Sequence, residues 1–183
     1  VDDDEIRMCT WLCGKSSWFL PFNKGVNGGA GNPINPNGVR TSYLWEEILR
    51  KKSLSDILEN YAQVIKKKDE KTNTEKVSVV WPRYHQLEVV RRLLEETRTK
   101  GIGNRYLIQH SAGSGKSNSI TWLAYQLVGL LDGTEPLMDS VIVVTDRVNL
   151  DKQIRDNIAA FKRLSNLVAW ADSAESLRTN LES

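Results

Sequence analysis

Cysteine and histidine are scarce in this chain: Cys9 and Cys13, His85 and His110, among 183 residues. None of the four falls into the C-x-x-C or H-x₃-H spacing of a zinc site. The cysteines are expected to be reduced, half-buried thiols on one strand face. Long apolar runs are also missing, since no stretch approaches the ~20 apolar residues that cross a bilayer. The acidic opening Val1-Asp-Asp-Asp-Glu5 is the reverse of the basic start of a secretory signal. Metal-stapled, secreted and membrane-spanning classes are set aside, and a cytoplasmic protein without a membrane partner is expected. Neither sign of charge dominates, with 25 Lys+Arg against 23 Asp+Glu, so any nucleic-acid contact has to come from a local patch. There is no initiator methionine, and the chain opens inside an apparent strand. It is therefore expected to be a piece of something larger.

What is present reads as a mixed chain, and 40% hydrophobic residues suffice for a core. Residues 5–22 alternate apolar and polar in two runs split by Gly14-Lys-Ser-Ser17, which predicts two strands and a tight turn. Residues 23–39 hold Gly25, Gly28, Gly29, Gly31, Pro33, Pro36 and Gly38, which predicts a long loop. Residues 43–50 read as helical. The box Ser53-Leu-Ser-Asp56 precedes Leu54, Ile57, Leu58, Tyr61 and Ile65 at helical spacing, predicting a second, capped helix. The polar run 66–76 predicts a solvated linker and domain boundary. Beyond it come a strand at 77–81, a helix at 84–97 with Leu87, Val90, Leu93 and Leu94 on one face, and a strand at 106–109. A helix from Lys116 presents Ile120, Leu123, Ala124, Leu127 and Leu131 inward until Gly133. The apolar run 140–145 predicts a strand buried on both faces. A helix with Leu150, Ile154, Ile158 and Phe161, a strand at 167–170 and a helix capped by Asp172-Ser-Ala-Glu175 complete the order. This βαβα alternation predicts an α/β fold with a parallel sheet.

The chemistry centres on Arg105-Tyr-Leu-Ile-Gln-His-Ser-Ala-Gly-Ser-Gly-Lys-Ser117, an apolar segment leading into a glycine turn and a helix. Backbone N–H groups of Gly113, Ser114, Gly115 and Lys116 can wrap a β-phosphate at the positive end of the helix. Lys116 would reach the β/γ-phosphates and the Ser117 hydroxyl would ligate Mg²⁺. The general pattern G-x-x-x-x-G-K-[ST] has glycine where this chain has His110. About 25 residues upstream, Gln86 in Pro82-Arg-Tyr-His-Gln86 has an amide that can both donate to and accept from adenine, favouring ATP over GTP. The plainer reading is a polar residue at a helix start. At the end of 140–145, Thr145 and Arg147 are read as contacts to a DNA phosphate at a strand's carboxyl end. Asp146 could instead hold Mg²⁺ or simply stand near the next helix start.

These segments resemble the restriction (R, or HsdR) subunit of type I restriction-modification enzymes. The resemblance is carried by Trp18-Phe-Leu-Pro-Phe-Asn-Lys-Gly25, Gly29-Ala-Gly-Asn-Pro33, Tyr43-Leu-Trp-Glu-Glu-Ile48, Arg83-Tyr-His-Gln86, His110-Ser-Ala-Gly-Ser-Gly-Lys-Ser117 and Thr145-Asp-Arg147. His110 is what that family tends to place there. The resemblance implies a nuclease domain followed by two RecA-like motor lobes of superfamily 2 that translocate duplex DNA with ATP and Mg²⁺. It makes Gln86 the adenine reader, Gly113, Ser114, Gly115, Lys116 and Ser117 the nucleotide loop, Ser117 the metal contact, and Thr145 and Arg147 DNA contacts. It also implies methyltransferase (M) and specificity (S) subunits as partners.

On this reading residues 1–40 are the tail of the nuclease domain with its Gly/Asn/Pro-rich loop, 41–76 a helical connector and charged linker, and 77–183 the first part of motor lobe 1. The fold would be a partial RecA-like, P-loop NTPase parallel sheet preceded by a small β segment and the connector. No Asp-Glu-x-His/Asp follows an apolar strand, and no Glu-x-Lys nuclease core is present. Lys116 is then the most important residue of an incomplete catalytic set, and the piece by itself is expected to be inactive. The rival readings are a P-loop nucleotide enzyme, such as a small kinase, or a nucleotide-gated interaction module, neither acting on DNA.

Overall fold

The computed structural model describes residues 1–68, 75–159 and 168–182. They form two compact units, Val1–Val89 and Val90–Ser183.

In the first unit, β1 (Arg7–Met8) pairs antiparallel with β2 (Leu20–Pro21), with Arg7 opposite Pro21. The turn between them contains a short 3₁₀ segment at Gly14–Ser16. The expected hairpin is present but brief, because Ile6 and Phe22 at its base are buried while Trp11, Leu12 and Trp18 beyond it are exposed. The glycine-rich stretch is a structured loop. Gly25 N–H donates to Gly31 O (2.8 Å), and the buried Asn32 ties the stretch back to the chain start. Its amide nitrogen donates to Asp4 O (2.9 Å), and its Oδ1 accepts from Lys24 N–H (2.8 Å). Side-chain amides thus replace the ladder that so many glycines and prolines cannot form.

A π-helical turn at Leu44–Ile48 leads into α1 (Lys51–Asn60). Tyr43 donates its hydroxyl to Phe22 O (2.6 Å), and Tyr43 and Phe22 both meet the Tyr84 ring edge-on, at 5.2 and 5.8 Å. Lys24 Nζ lies 4.7 Å from the Tyr43 ring centroid and pairs with Glu47 at 3.0 Å. Ile57, 0% exposed, and Tyr61 are the buried anchors of α1.

Helix α1 opens at Lys51 with the extended Arg50 as its cap residue, so Ser53 lies inside the first turn and is not the cap residue. The helix stops at Asn60 rather than reaching Ile65. Residues Gln63–Lys68 form β3, paired with β4 (Glu75–Val80) in register from Gln63↔Val80 to Lys68↔Glu75. The polar run therefore enters a hairpin, because antiparallel pairing satisfies the backbone of a lysine-rich segment whatever its side chains. Residues 69–74 of the expected linker lie outside the described residues.

Helix α2 (Tyr84–Lys100) contributes residues to both units, and its expected apolar positions Leu87, Val90 and Leu94 are buried. In the second unit α3 (Lys116–Val128) packs on α4 (Val148–Ala159). Ile154 and Ile158 of α4 are buried against Ile120, Tyr125, Val143, Leu150 and Val168. Trp122, 1% exposed, is the largest buried side chain of α3. Helix α3 ends at Gly129, four residues before the expected stop. Gly133 (φ +64°) instead turns a small hairpin, β5 (Leu131–Asp132) with β6 (Glu135–Pro136), which leaves Leu131 exposed. Helix α5 (Ala174–Glu182) is capped by Ser173, whose Oγ accepts from Ser176 N–H (3.1 Å), one residue after the expected Asp172.

Helices and small strands give the chain an α/β composition, but the expected parallel sheet is not formed among the described residues. All three sheets are two-stranded and antiparallel. Residues 106–109, 140–145 and 168–170 are not strands, and Phe161 and Leu167 lie outside the described residues. The physical reason is the lack of a paired neighbour: an apolar segment becomes a parallel strand only when strands beside it take its N–H and C=O groups. Residues 141–145 still alternate, with Val141, Val143 and Thr145 half-buried and Ile142 and Val144 exposed. One face is covered where two were expected.

Candidate nucleotide-binding site

The loop before α3 is shaped by two left-handed glycines. Gly113 has φ +72°, and Gly115, at +82°, is the cap residue of α3. A Cβ on Gly113 would meet nothing within 4 Å, so the backbone angle, and not space, calls for glycine there. The start of α3 has no side-chain cap hydrogen bond, and the positive end of the helix suits an anion. Ser114 and Ser117 are buried. Lys116 is exposed and folds back over its own loop, where Nζ donates to His110 O (3.0 Å) and Ser111 O (2.8 Å).

The Ser117 hydroxyl donates to Gln153 Oε1 on α4 (3.2 Å), and Asn157 Nδ2, one turn further, donates to Asn118 Oδ1 (2.8 Å). The donor set suits a magnesium-bound nucleotide: an ammonium and uncapped helix amides for phosphate, and a buried hydroxyl oxygen for a hard cation.

The structure gathers Gly113, Ser114, Gly115, Lys116 and Ser117 into one turn of the second unit. Thr145 and Arg147 belong to the same unit, just before α4. Thr145 is half-buried, while the Arg147 side chain is 79% exposed, with Nε 3.9 Å from Asp146 Oδ1. The Arg147 carbonyl accepts from Asp151 N–H (2.9 Å), so Arg147 opens α4.

Gln86 belongs to the first unit. It is buried at the third position of α2, and its Oε1 accepts from Arg83 N–H (2.9 Å), the reach-back half of a capping box. Gln153 and Asn157 were not singled out from the sequence. Their signal is two amides four residues apart on an amphipathic helix, each just ahead of a core isoleucine, Ile154 and Ile158.

Among the described residues no helix is long and apolar enough to cross a membrane. No curated protein and no solved structure matches the chain. The family model of the SWI2/SNF2 ATPases does match it, over residues 85–183. That span covers more than half of the chain and takes in the glycine turn and helices α3 and α4, with Lys116 and Ser117 at the start of α3. The chain therefore belongs to the SWI2/SNF2 ATPase family, helicase-like ATPases of superfamily 2.

Proposed function

We propose that this chain is the ATP-binding part of a DNA-translocating, DNA-cleaving subunit of a type I restriction enzyme. ATP and Mg²⁺ are its cofactors, duplex DNA its track, and methyltransferase and specificity subunits its partners. The observation that carries the nucleotide reading is the turn of Gly113 and Gly115 that sets Lys116 and Ser117 at an uncapped helix start. The finer reading is supported by the first unit. Three segments that carry the resemblance meet there through Phe22, Tyr43 and Tyr84, with Lys24 and Glu47 alongside. On this reading residues 1–40 are the end of a nuclease domain, 41–76 a connector, and 77–183 the start of a RecA-like lobe.

Bound ATP–Mg²⁺ supplies the phosphoanhydride whose hydrolysis drives such a motor. The chain's own contribution is to bind and orient. Lys116 exchanges two carbonyl partners for phosphate oxygens, the first amides of α3 donate to phosphate, and Ser117 offers its oxygen to the cation. Gln86 reads adenine, exchanging its contact with Arg83 to do so. Thr145 and Arg147 hold a DNA phosphate, and the exposed guanidinium is suited to it.

Thermal melts test the reading. ATP with Mg²⁺ at one hundred times Kd should stabilise the chain by about 2.7 kcal/mol, and Lys116→Ala should abolish the shift. Arg147→Ala should weaken duplex binding by the same factor on unrelated sequences. A changed sequence preference would overturn the phosphate contact, and DNA-independent ATP hydrolysis by the intact subunit would overturn the motor.

A further inference from the structure

We infer that Gln153 is a positioning residue for the Ser117 hydroxyl, directing its proton toward α4 so that its lone pairs are left for a divalent cation. The inference rests on reading the loop as an ATP–Mg²⁺ site. A serine hydroxyl has one proton and two lone pairs. To ligate a cation it must offer a lone pair, so its proton needs an acceptor elsewhere. Ser117 is buried, and the acceptor the structure provides is Gln153 Oε1, 3.2 Å from Ser117 Oγ. A hydroxyl free to rotate would present its proton to the cation in part of its orientations. An acceptor already at hydrogen-bond distance disfavours those orientations in advance.

Gln153 is itself exposed, and the helix that carries it is held in place. Helix α4 packs on α3 through Ile154 and Ile158 against Ile120 and Tyr125. The Asn157–Asn118 hydrogen bond (2.8 Å) adds a second polar rung between the same two helices. Gln153 and Asn157 are four residues apart and so share one face of α4. Only the Gln153 rung ends on the proposed metal contact. The Asn157 rung ends on its neighbour and serves as an internal control for helix packing.

The test is calorimetric titration of the chain with a non-hydrolysable ATP analogue, in EDTA and in Mg²⁺, alongside thermal melts. In the unmutated chain Mg²⁺ should tighten binding about tenfold or more, equivalent to about 1.4 kcal/mol. Gln153→Met, which keeps the length but loses the acceptor, should leave the EDTA affinity within about twofold and remove most of the Mg²⁺ enhancement. Gln153→Glu, which keeps an acceptor oxygen, should retain the enhancement, and Asn157→Ala should retain it as well. Full enhancement in Gln153→Met, or equal loss in Asn157→Ala, would overturn the positioning role while leaving the nucleotide site intact. Absence of nucleotide binding by the unmutated chain would overturn both readings.

Discussion

Gln86 occupies a buried position where two chemistries compete for one amide. Its Oε1 accepts from Arg83 N–H at 2.9 Å, which satisfies a donor orphaned at the start of α2. Adenine reading asks the same amide to donate and accept at a ligand. The two roles separate by mutation. Gln86→Ala should lower stability by about 1 kcal/mol through the lost cap. Gln86→Glu keeps the capping acceptor but has no N–H₂ to donate. It should melt like the unmutated chain while binding ATP more weakly, because the donation to the adenine ring is lost. An unchanged ATP affinity would leave Gln86 a cap and nothing more. Tyr43 makes a separate residue-scale case. Burial pushes its hydroxyl from the ordinary 10 up to about 12, with the charge of Glu47 adding to the rise and a hydrogen bond with Asn32 opposing it. A folded-state value above the unfolded one means that the fold favours the neutral phenol. That contribution is fully present below pH 10 and is lost as pH rises through about 12. Denaturant titrations should show an alkaline loss of stability in that window, absent in Tyr43→Phe. The same variant should cost about 1 kcal/mol at neutral pH through the hydrogen bond to Phe22 O.

The decisive element pair is α3 with α4. Its apolar contacts are few, so each matters: Ile154 is buried among Ile120, Tyr125 and Leu150. Ile154→Ala should cost about 2–4 kcal/mol by lost transfer energy and a residual cavity. Denaturant unfolding would measure the cost, and less than about 1 kcal/mol would show that the site collapses freely. Helices α2, α3 and α4 were legible because a 3.6-residue apolar period forms its hydrogen bonds within the element. Their ends were less legible. Gly129 and Gly133 are equally good stops on paper, and the β5–β6 hairpin chooses the earlier one. Strands were the weaker inference, since each depends on a partner elsewhere in the chain. The lysine-rich 63–68 found one in Glu75–Val80, while the more apolar 106–109 and 140–145 found none among the described residues.

At the scale of the whole molecule the chain is two compact units that leave much apolar surface in water. Leu107 is 93% exposed and Val144 86%, bare apolar side chains of the kind that associate with other chains. Self-association at high concentration is expected, and the pair Leu107→Lys with Val144→Lys should reduce it in light scattering without lowering the melting temperature. Persistent association would place the sticky surface elsewhere, for example at Trp11 and Trp18.

The order of residues was enough to establish the glycine turn with Lys116 and Ser117, because a phosphate loop is a local backbone device written in consecutive residues. It was also enough for the amphipathic helices. Tertiary structure alone decided two things. Tyr43 and Tyr84 close over Phe22, and Gln153 comes to the Ser117 hydroxyl from 36 residues away. Such pairings depend on which helix faces pack together. No local spacing encodes that choice, which for Gln153 the burial of Ile154 and Ile158 makes instead.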